Sequence, residues 1–183
     1  MNLVETSLPE VYIVEPKVFG DDRGYFLETW QKTRYADSGL NADFVQDNLS
    51  FSQRNVLRGL HYQHKHSQGK LVYVLQGTVF DVAVDIRIDS PNFGRWVSVE
   101  LSAQNKRQLY IPAGFAHGFC VTSETALFTY KCTDYYDPAS EVSIAWNDPD
   151  IGIEWPVNVP TLSEKDTNAK RLNDIPRELL PTV

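Results

Sequence analysis

The chain has 183 residues, of which 42% are hydrophobic and 22% are charged, and these values are ordinary for one globular domain. Its formal net charge of −7 argues against a general polyanion-binding protein, so we expect no nucleic acid partner. No run approaches the roughly 20 apolar residues of a membrane span. The first twelve residues also lack the basic and apolar regions of a signal peptide. We therefore expect a cytoplasmic protein with no membrane partner.

Short apolar runs, separated by turns rich in glycine and proline, favour β-strands along most of the chain. The clearest of them covers residues 78–86, where apolar side chains alternate with their neighbours. Residues 31–38 favour a short helix that Gly39 ends, and Ser163 is a candidate N-cap of a second helix. Further strands are predicted at 11–14, 25–30, 44–48, on both sides of the connection within 56–77, at 95–101, at 109–111 leading through a turn into 115–119, at 125–133 and at 142–146. Many short strands without alternating helices predict an all-β barrel or sandwich.

The two cysteines, Cys120 and Cys132, lie in apolar runs and lack the C-x-x-C spacing of a zinc or redox site. We interpret both as buried thiols of a protein in a reducing compartment.

Protonatable groups are concentrated in residues 56–77, between two apolar runs. Three of the four histidines fall in this stretch, together with Arg58 and Lys70. Strict strand alternation would place Arg58 on one face and His61 on the other. A histidine, a lysine and the later Tyr130 converging on one cavity would make an apparatus for proton transfer. His64 and His66 fall in the connection, and we assign them no role.

The spacing of His64, His66, Lys70 and Gly77 resembles the first metal-binding motif of cupins, and residues 112–117 (PAGFAH) resemble the second. In that first motif a glutamate stands where this chain has Lys70. A lysine has donors only, so it cannot supply the anionic oxygen ligand. We therefore expect no metal.

The chain resembles the dTDP-4-dehydrorhamnose 3,5-epimerase family, because a series of blocks occurs in the same order over residues 11–170. These blocks are KVFGDDRGYFLE, FVQDN, LRGLHYQ, QGKLVYVLQGTVFDVAVDIR, SPNFGRW, NKRQLYIPAGFAHGF, YKCTDYY and WNDPDIGIEWP. The resemblance implies an all-β, cupin-like jelly-roll (double-stranded β-helix) barrel with a few short helices. It also implies one epimerase domain over residues 1–183, with N-terminal strands to about residue 50, the barrel to about 147 and a C-terminal tail.

The implied reaction inverts C3 and C5 of dTDP-4-dehydro-6-deoxy-D-glucose, in the synthesis of dTDP-L-rhamnose, without a cofactor or metal. Both carbons flank the C4 ketone, so loss of either proton gives an enolate whose charge collects on O4. The resemblance implies that His61 is the base and that Lys70 faces O4. Tyr130 is then the acid, and Asp166 the carboxylate that supports His61. From sequence alone, Asp166 could equally be a helix-capping acid.

The resemblance further implies a homodimer and a set of substrate contacts. Phe19, Phe26 and Tyr136 are candidates for stacking on thymine. The implied substrate-binding residues are Arg23, Glu28, Gln46, Asp47, Asn48, Arg58, Lys70, His117, Glu141 and Lys165.

Three other functions remain open from the sequence. Relatives of this family invert only C3 or only C5 of related dTDP-4-keto-deoxysugars and can keep the same catalytic residues. The second alternative is a metal-dependent cupin, and the third is a non-catalytic sugar-nucleotide binding module. Lys70 argues against the metal-dependent cupin. The set of proton-transfer residues, His61, Lys70, Tyr130 and Asp166, argues against the binding module.

Overall fold

The computed structural model describes all 183 residues and contains thirteen β-strands and two short α-helices. The strands are β1 Asn2–Glu5, β2 Tyr12–Glu15, β3 Val18–Asp21, β4 Gly24–Leu27, β5 Gln46–Gln53, β6 Leu57–Gln63, β7 Lys70–Gln76, β8 Thr78–Asp85, β9 Trp96–Ser102, β10 Gln108–Ile111, β11 Phe115–Val121, β12 Thr125–Cys132 and β13 Glu141–Ser143. The helices are α1 Lys32–Asp37 and α2 Glu164–Thr167, and two 3-10 turns follow at Leu172–Asp174 and Arg177–Leu179.

Two antiparallel sheets form the barrel. One has six strands in the order β1-β2-β10-β7-β12-β5, and the other has five in the order β13-β6-β11-β8-β9. Neighbouring strands in a sheet are mostly distant in sequence, as in a jelly roll. The predicted all-β barrel with a few short helices is therefore confirmed.

The main core lies between the two sheets and takes side chains from both. Val72 and Phe128 come from the six-stranded sheet, and Val79 and Phe119 from the five-stranded sheet. Each fully buried side chain of this kind contributes roughly 1.5–3 kcal/mol through loss of water contact. The core is therefore the main source of barrel stability. The functional groups lie at its border, where polar residues replace the apolar ones.

The C-terminal segment packs against the five-stranded sheet. Leu172 and Ile175 are buried in one cluster with Leu60 of β6 and Ile144. Backbone bridges join Val56 to Thr161 and Ile144 to Lys170, each in parallel. The segment therefore carries α2 to the side of β6.

The predicted helix at 31–38 is confirmed as α1. The side chain of Gln31 caps it by accepting a hydrogen bond from the Arg34 amide at 2.6 Å. Gly39, with φ of 104°, follows its end, in the left-handed region that glycine tolerates best. No helix in the structure is long and apolar enough to cross a membrane.

The sequence misplaced some strands near the ends of the chain. The predicted strand at 25–30 ends at Leu27 in β4, and the one at 142–146 is confined to β13. Strands β1 and β3 have no counterpart in the predicted set. These strands are short, and β3 and β4 form a separate exposed hairpin, so no burial imposes an alternating pattern on their sequence.

Candidate active site

A cavity of about 500 Å³ lies between the two sheets, within the size range of small-molecule sites. Only four of its sixteen lining residues are hydrophobic. The lining residues are Gln46, Asn48, Ser50, Arg58, His61, Gln68, Lys70, His117, Phe119, Phe128, Tyr130, Tyr136, Glu141, Ser163, Lys165 and Asp166. The cavity thus brings together all four predicted catalytic residues and most of the predicted substrate contacts.

His61 and Asp166 form the closest pair of titratable groups in this cavity. Nε2 of His61 lies 2.5 Å from Oδ1 of Asp166, whose side chain is only 2% exposed. The Asp166 amide donates to the hydroxyl of Ser163, the N-cap of α2, at 3.2 Å. Thus Ser163 is the capping side chain, whereas the Asp166 carboxylate is directed at His61 and not at the helix end.

The environment favours a neutral imidazole beside an ionised carboxylate. Burial lowers the pKa of His61, and the hydrogen bond and charge of Asp166 act against that fall. Burial alone would raise the pKa of Asp166, but its hydrogen bond with His61 leaves the pKa below its ordinary value. Because Asp166 accepts at Nε2, the free ring nitrogen is Nδ1, and it has a lone pair available for a proton.

Arg58 and His61 both line the cavity, so the prediction that they occupy opposite faces of the strand is wrong. His117 pairs with His61 and Phe119 pairs with Arg58, so two steps along β11 match three steps along β6. This extra residue is a β-bulge, and it shifts the alternation of side chains by one position.

The bulge depends on the close approach of two glycines. Gly59 has φ of 123°, and a Cβ atom there would lie 2.5 Å from Cα of Gly118 and 2.8 Å from the carbonyl oxygen of His117. A side chain at this position would therefore force β6 and β11 apart. The glycine contact keeps His61 beside His117.

Lys70 and Tyr130 lie on neighbouring strands, β7 and β12. The Lys70 ammonium is 6.0 Å from the centre of the Tyr130 ring. Burial lowers the pKa of Lys70, while the nearby Cys132, Glu141 and Asp81 act in the opposite direction. Burial raises the pKa of Tyr130 to about 12. Tyr130 thus holds its proton at neutral pH and is suited to act as an acid.

The mouth of the cavity is polar and cross-linked by hydrogen bonds. Glu141 receives a bond from Nζ of Lys165 at 2.8 Å and another from the Tyr136 hydroxyl at 3.0 Å. Gln46 accepts from the Tyr136 amide at 2.9 Å and donates to Asn48 at 3.1 Å. These contacts hold the Tyr136 ring at the edge of the cavity. This position suits its predicted role of stacking on the thymine of the substrate.

His117 is buried in the wall of the cavity, whereas Arg58 is exposed. Nε of Arg58 donates to the hydroxyl of Ser52 at 3.1 Å, which orients the guanidinium. His117 stacks on Phe128 with ring centres 6.1 Å apart. Phe128 in turn stacks on Phe119 at 4.1 Å, so an aromatic floor separates the polar cavity from the core.

Three predicted substrate contacts lie outside this cavity in the single chain. Arg23 pairs with Asp21 at 2.5 Å and its side chain is 90% exposed. Oε1 of Glu28 lies 3.5 Å from the guanidinium of Arg34. Asp47 accepts from Lys131 at 2.8 Å. Asp47 points away because its strand neighbours Gln46 and Asn48 face inward, and side chains alternate along a strand.

The aromatic residues Phe19 and Phe26 also lie away from the cavity, on the exposed β3–β4 hairpin. Nδ1 of His64 donates to the Ser140 carbonyl at 3.0 Å, and Nδ1 of His66 lies 3.4 Å from Oδ2 of Asp134. Neither ring lines the cavity. No group of three or more His, Cys, Asp or Glu side chains is placed to hold a metal ion.

The sequence-based site omitted several residues that the structure places in or next to the cavity. Ser50, Gln68, Phe119, Phe128 and Ser163 line it. Asp81 lies behind it, with both carboxylate oxygens 3.0 Å from Nε2 of His117. The one sequence signal for Asp81 is its acidic side chain at an inward position of the otherwise apolar run VFDVAV.

Comparisons with known proteins give this arrangement a family. The family model for dTDP-4-dehydrorhamnose 3,5-epimerase matches residues 5–174. The chain belongs to this family. It is 57% identical to the dTDP-4-dehydrorhamnose 3,5-epimerase of Salmonella typhimurium, over 94% of this chain and 96% of that one.

Solved structures of family members agree. The dTDP-6-deoxy-D-glucose-3,5-epimerase from Legionella pneumophila, in complex with dTDP-4-keto-L-rhamnose, superposes with a TM-score of 0.97 and 57% identity, over 100% of this chain and 98% of that one. A 3′-monoepimerase from Streptomyces bikiniensis, in complex with dTDP-quinovose, has a TM-score of 0.90 and 35% identity, over 100% of this chain and 93% of that one. One fold in this family therefore carries both double and single epimerases.

Proposed function

We propose that this protein is a cofactor-independent isomerase that inverts C3 and C5 of dTDP-4-dehydro-6-deoxy-D-glucose to give dTDP-4-dehydro-L-rhamnose. The observation that carries this proposal is the convergence of the His61–Asp166 pair, the Lys70 ammonium and the Tyr130 phenol on one cavity. These are the base, the cation and the acid that an enolate mechanism needs.

Each inversion consists of two proton transfers. Nδ1 of His61 takes the proton from the carbon next to the ketone, and the electron pair of the C–H bond moves into the ring as an enolate with negative charge on O4. The Lys70 ammonium stabilises that charge, because a fixed cation in a dry site interacts with an oxyanion more strongly than water does. Tyr130 then gives its proton to the opposite face of the carbon, the ketone re-forms, and the configuration is inverted.

Asp166 supports this cycle through His61. When His61 becomes an imidazolium ion, the adjacent carboxylate stabilises the new positive charge and holds the ring in orientation. Between the two inversions, His61 must lose a proton and Tyr130 must regain one. The proton balance of each inversion therefore closes without a cofactor.

The diphosphate and the nucleoside require the remaining lining residues. Arg58 presents a guanidinium, which binds phosphate oxygens in a bidentate manner, and Lys165 adds a second cation. Tyr136 offers a ring for thymine at the mouth. Gln46, Asn48 and Glu141 offer amide and carboxylate groups, and His117 lies deeper beside the reacting sugar.

We include a homodimer in this proposal. Strand β5 is an edge of the six-stranded sheet, and it exposes 62% of Leu49 and 56% of Phe51. The β3–β4 hairpin exposes 68% of Phe26 near Arg23. Apolar surface of this kind at a sheet edge invites association with a second copy. In such a dimer, Arg23 and Glu28 would contact substrate only in the partner's cavity.

A cytoplasmic site of action completes the proposal. Cys120 and Cys132 are both free and buried, and free thiols of this kind are usual in a reducing compartment.

The second candidate is a single-centre epimerase, favoured by the likeness to the 3′-monoepimerase described above. The two functions differ in which carbon exchanges its proton with solvent. Incubation of the 4-keto sugar nucleotide in D₂O, followed by NMR of the product, separates them. We expect deuterium at both C3 and C5. Deuterium at one carbon only would establish the single-centre function, and no exchange at either carbon would reject both.

A further inference from the structure

Asp81 is a fully buried carboxylate in the apolar interior of the barrel. Its neighbours on the inward face of β8 are Val79 and Ala83, which belong to the main core. Asp81 is 0% exposed, and both of its oxygens lie 3.0 Å from Nε2 of His117. His117 lines the cavity and Asp81 does not, so Asp81 is connected to the site by its contact with the His117 ring.

Stability gives a poor account of this pair. Removing a carboxylate and an imidazole from water is costly, and apolar residues of similar volume in the same place are often neutral or stabilising. The rest of the inward face of β8 near Asp81 is apolar, and an apolar residue here would continue the core. The pair is therefore better explained by what it does for the cavity.

His117 sits directly opposite His61 in the pairing of β11 with β6. Two imidazole–carboxylate pairs thus stand side by side, His61 with Asp166 and His117 with Asp81. Because Asp81 occupies Nε2 of His117, only Nδ1 of that ring remains to contact a ligand.

Asp81 also affects Lys70. The titratable groups that face Lys70 come from six elements: His61 of β6, Asp81 of β8, His117 of β11, Tyr130 and Cys132 of β12, Glu141 of β13 and Lys165 of α2. Of the two carboxylates, Glu141 already pairs with Lys165 at 2.8 Å. Burial raises the pKa of Asp81, and its contact with His117 and the charge of Lys70 act against that rise. The ionised carboxylate of Asp81 raises the pKa of Lys70, whereas the burial of Lys70 lowers it.

Resting on the proposed function, we propose that Asp81 is a positioning residue of the epimerase. It fixes the ring of His117 through Nε2, and it is the buried counter-charge that keeps Lys70 an ammonium ion for the enolate oxygen. Asp81 touches no substrate atom, so its effect passes entirely through His117 and Lys70.

The test is the pH dependence of kcat in D81N, with D85N as the matched control. Asp85 lies on the same strand, is equally buried and pairs with Arg87 at 2.7 Å, away from the cavity. Without the charge of Asp81, Lys70 loses its proton at lower pH. We expect the alkaline limb of kcat to move down by about one pH unit in D81N, so that activity on that limb falls about tenfold. In D85N the limb stays in place.

A purely structural role predicts something else. Loss of stability lowers the amount of folded enzyme at every pH and leaves the limb where it is. An unmoved limb in folded D81N therefore overturns the proposal, and so does an equal movement in D85N.

Two NMR measurements probe the role of Asp81 without enzyme turnover. The ring nitrogens of His117 in the wild type should show a protonated Nε2, and a tautomer protonated only at Nδ1 would overturn the assignment. Direct titration of the Lys70 ammonium should give a lower pKa in D81N than in the wild type. If the wild type fails to exchange the substrate protons, the proposed function is rejected, while these measurements still decide the role of Asp81. Should D81N not fold, the His117 tautomer in the wild type remains decisive.

Discussion

Nε2 of His61 and Oδ1 of Asp166 lie 2.5 Å apart, although 105 positions separate the two residues in the chain. The barrel supplies the histidine on β6, and the C-terminal segment supplies the carboxylate on α2. This contact joins two parts of the chain that are also held together by apolar packing and two backbone bridges. It defines where proton abstraction takes place.

His61→Asn should abolish solvent exchange at both C3 and C5, because Asn has no basic nitrogen to accept the proton. General-base catalysis of this kind contributes roughly 10²–10⁴-fold to the rate. Deuterium incorporation into the sugar nucleotide, followed by NMR, measures it. His64→Asn is the matched control, since His64 lies outside the cavity, and it should retain wild-type exchange. Equal losses in the two variants would contradict the assignment of His61.

Tyr130→Phe should still exchange substrate protons with solvent but should yield little inverted product. His61 can remove and return a proton on its own face, whereas inversion needs the Tyr130 proton, which a pKa of about 12 keeps in place. The ratio of exchange to inversion, read from the product NMR spectrum, should rise well above that of the wild type. Tyr135→Phe, at an exposed ring outside the cavity, should leave the ratio unchanged. Full-rate inversion by Tyr130→Phe would remove Tyr130 from the mechanism.

The acidic limb of kcat/KM should reflect His61. Its pKa lies below the ordinary 6.5 because of burial, and only the neutral ring can act as a base. Activity should therefore be complete above pH 6.5 and fall as the pH drops through the lowered pKa. Asp166→Asn removes the hydrogen bond and charge that oppose this shift, so the limb should move to lower pH while kcat declines. An acidic midpoint above 6.5 in the wild type would show that another group controls the limb.

Gly59→Ala should cost more stability than Gly94→Ala. Both glycines have positive φ, but a Cβ at Gly94 meets nothing within 4 Å, whereas one at Gly59 would lie 2.5 Å from Cα of Gly118. The unfavourable backbone alone costs on the order of 1–3 kcal/mol, and the clash adds to it only at Gly59. Urea unfolding gives the free energy of unfolding of each variant, and the difference between the two losses measures the cost of the clash. Similar costs would mean that β6 and β11 separate easily.

Phe51→Glu should shift the protein from dimer to monomer, because it places a charge in the exposed apolar surface of β5. Analytical ultracentrifugation measures the change. Val159→Glu introduces the same charge at a residue that is 83% exposed elsewhere, and it should remain dimeric. If the dimer positions Arg23, the Phe51→Glu monomer should also bind dTDP more weakly. A wild-type monomer at micromolar concentration would overturn the homodimer proposal.

Much of the barrel could be predicted because its strands obey one physical rule. Residues between two sheets alternate apolar and polar side chains, and β8, β9 and β12 follow that rule closely enough to be found within a residue or two. The place of Lys70 in the cavity could also be anticipated, since the cupin-like spacing around it fixes its position on the strand.

The remaining features depend on contacts that no local pattern contains. The bulge in β6 arises from two glycines on different strands, so alternation alone misassigned Arg58. Asp81 looks like a defect in an apolar strand until His117 is placed opposite it. Arg23 and Glu28 lie on or beside an exposed hairpin, and within one chain they contact only neighbouring charges and not the cavity.

The anchoring of the C-terminal segment has a consequence for how the catalyst is lost. Asp166 is held beside His61 by Leu172, Ile175 and two single bridges, whereas His61, Lys70 and Tyr130 are held by the sheets themselves. Local detachment of a terminal segment requires less free energy than unfolding the whole barrel. The lifetime of the His61–Asp166 pair is therefore limited by detachment of the tail, and the enzyme can lose its supported base while the barrel and its nucleotide contacts stay intact.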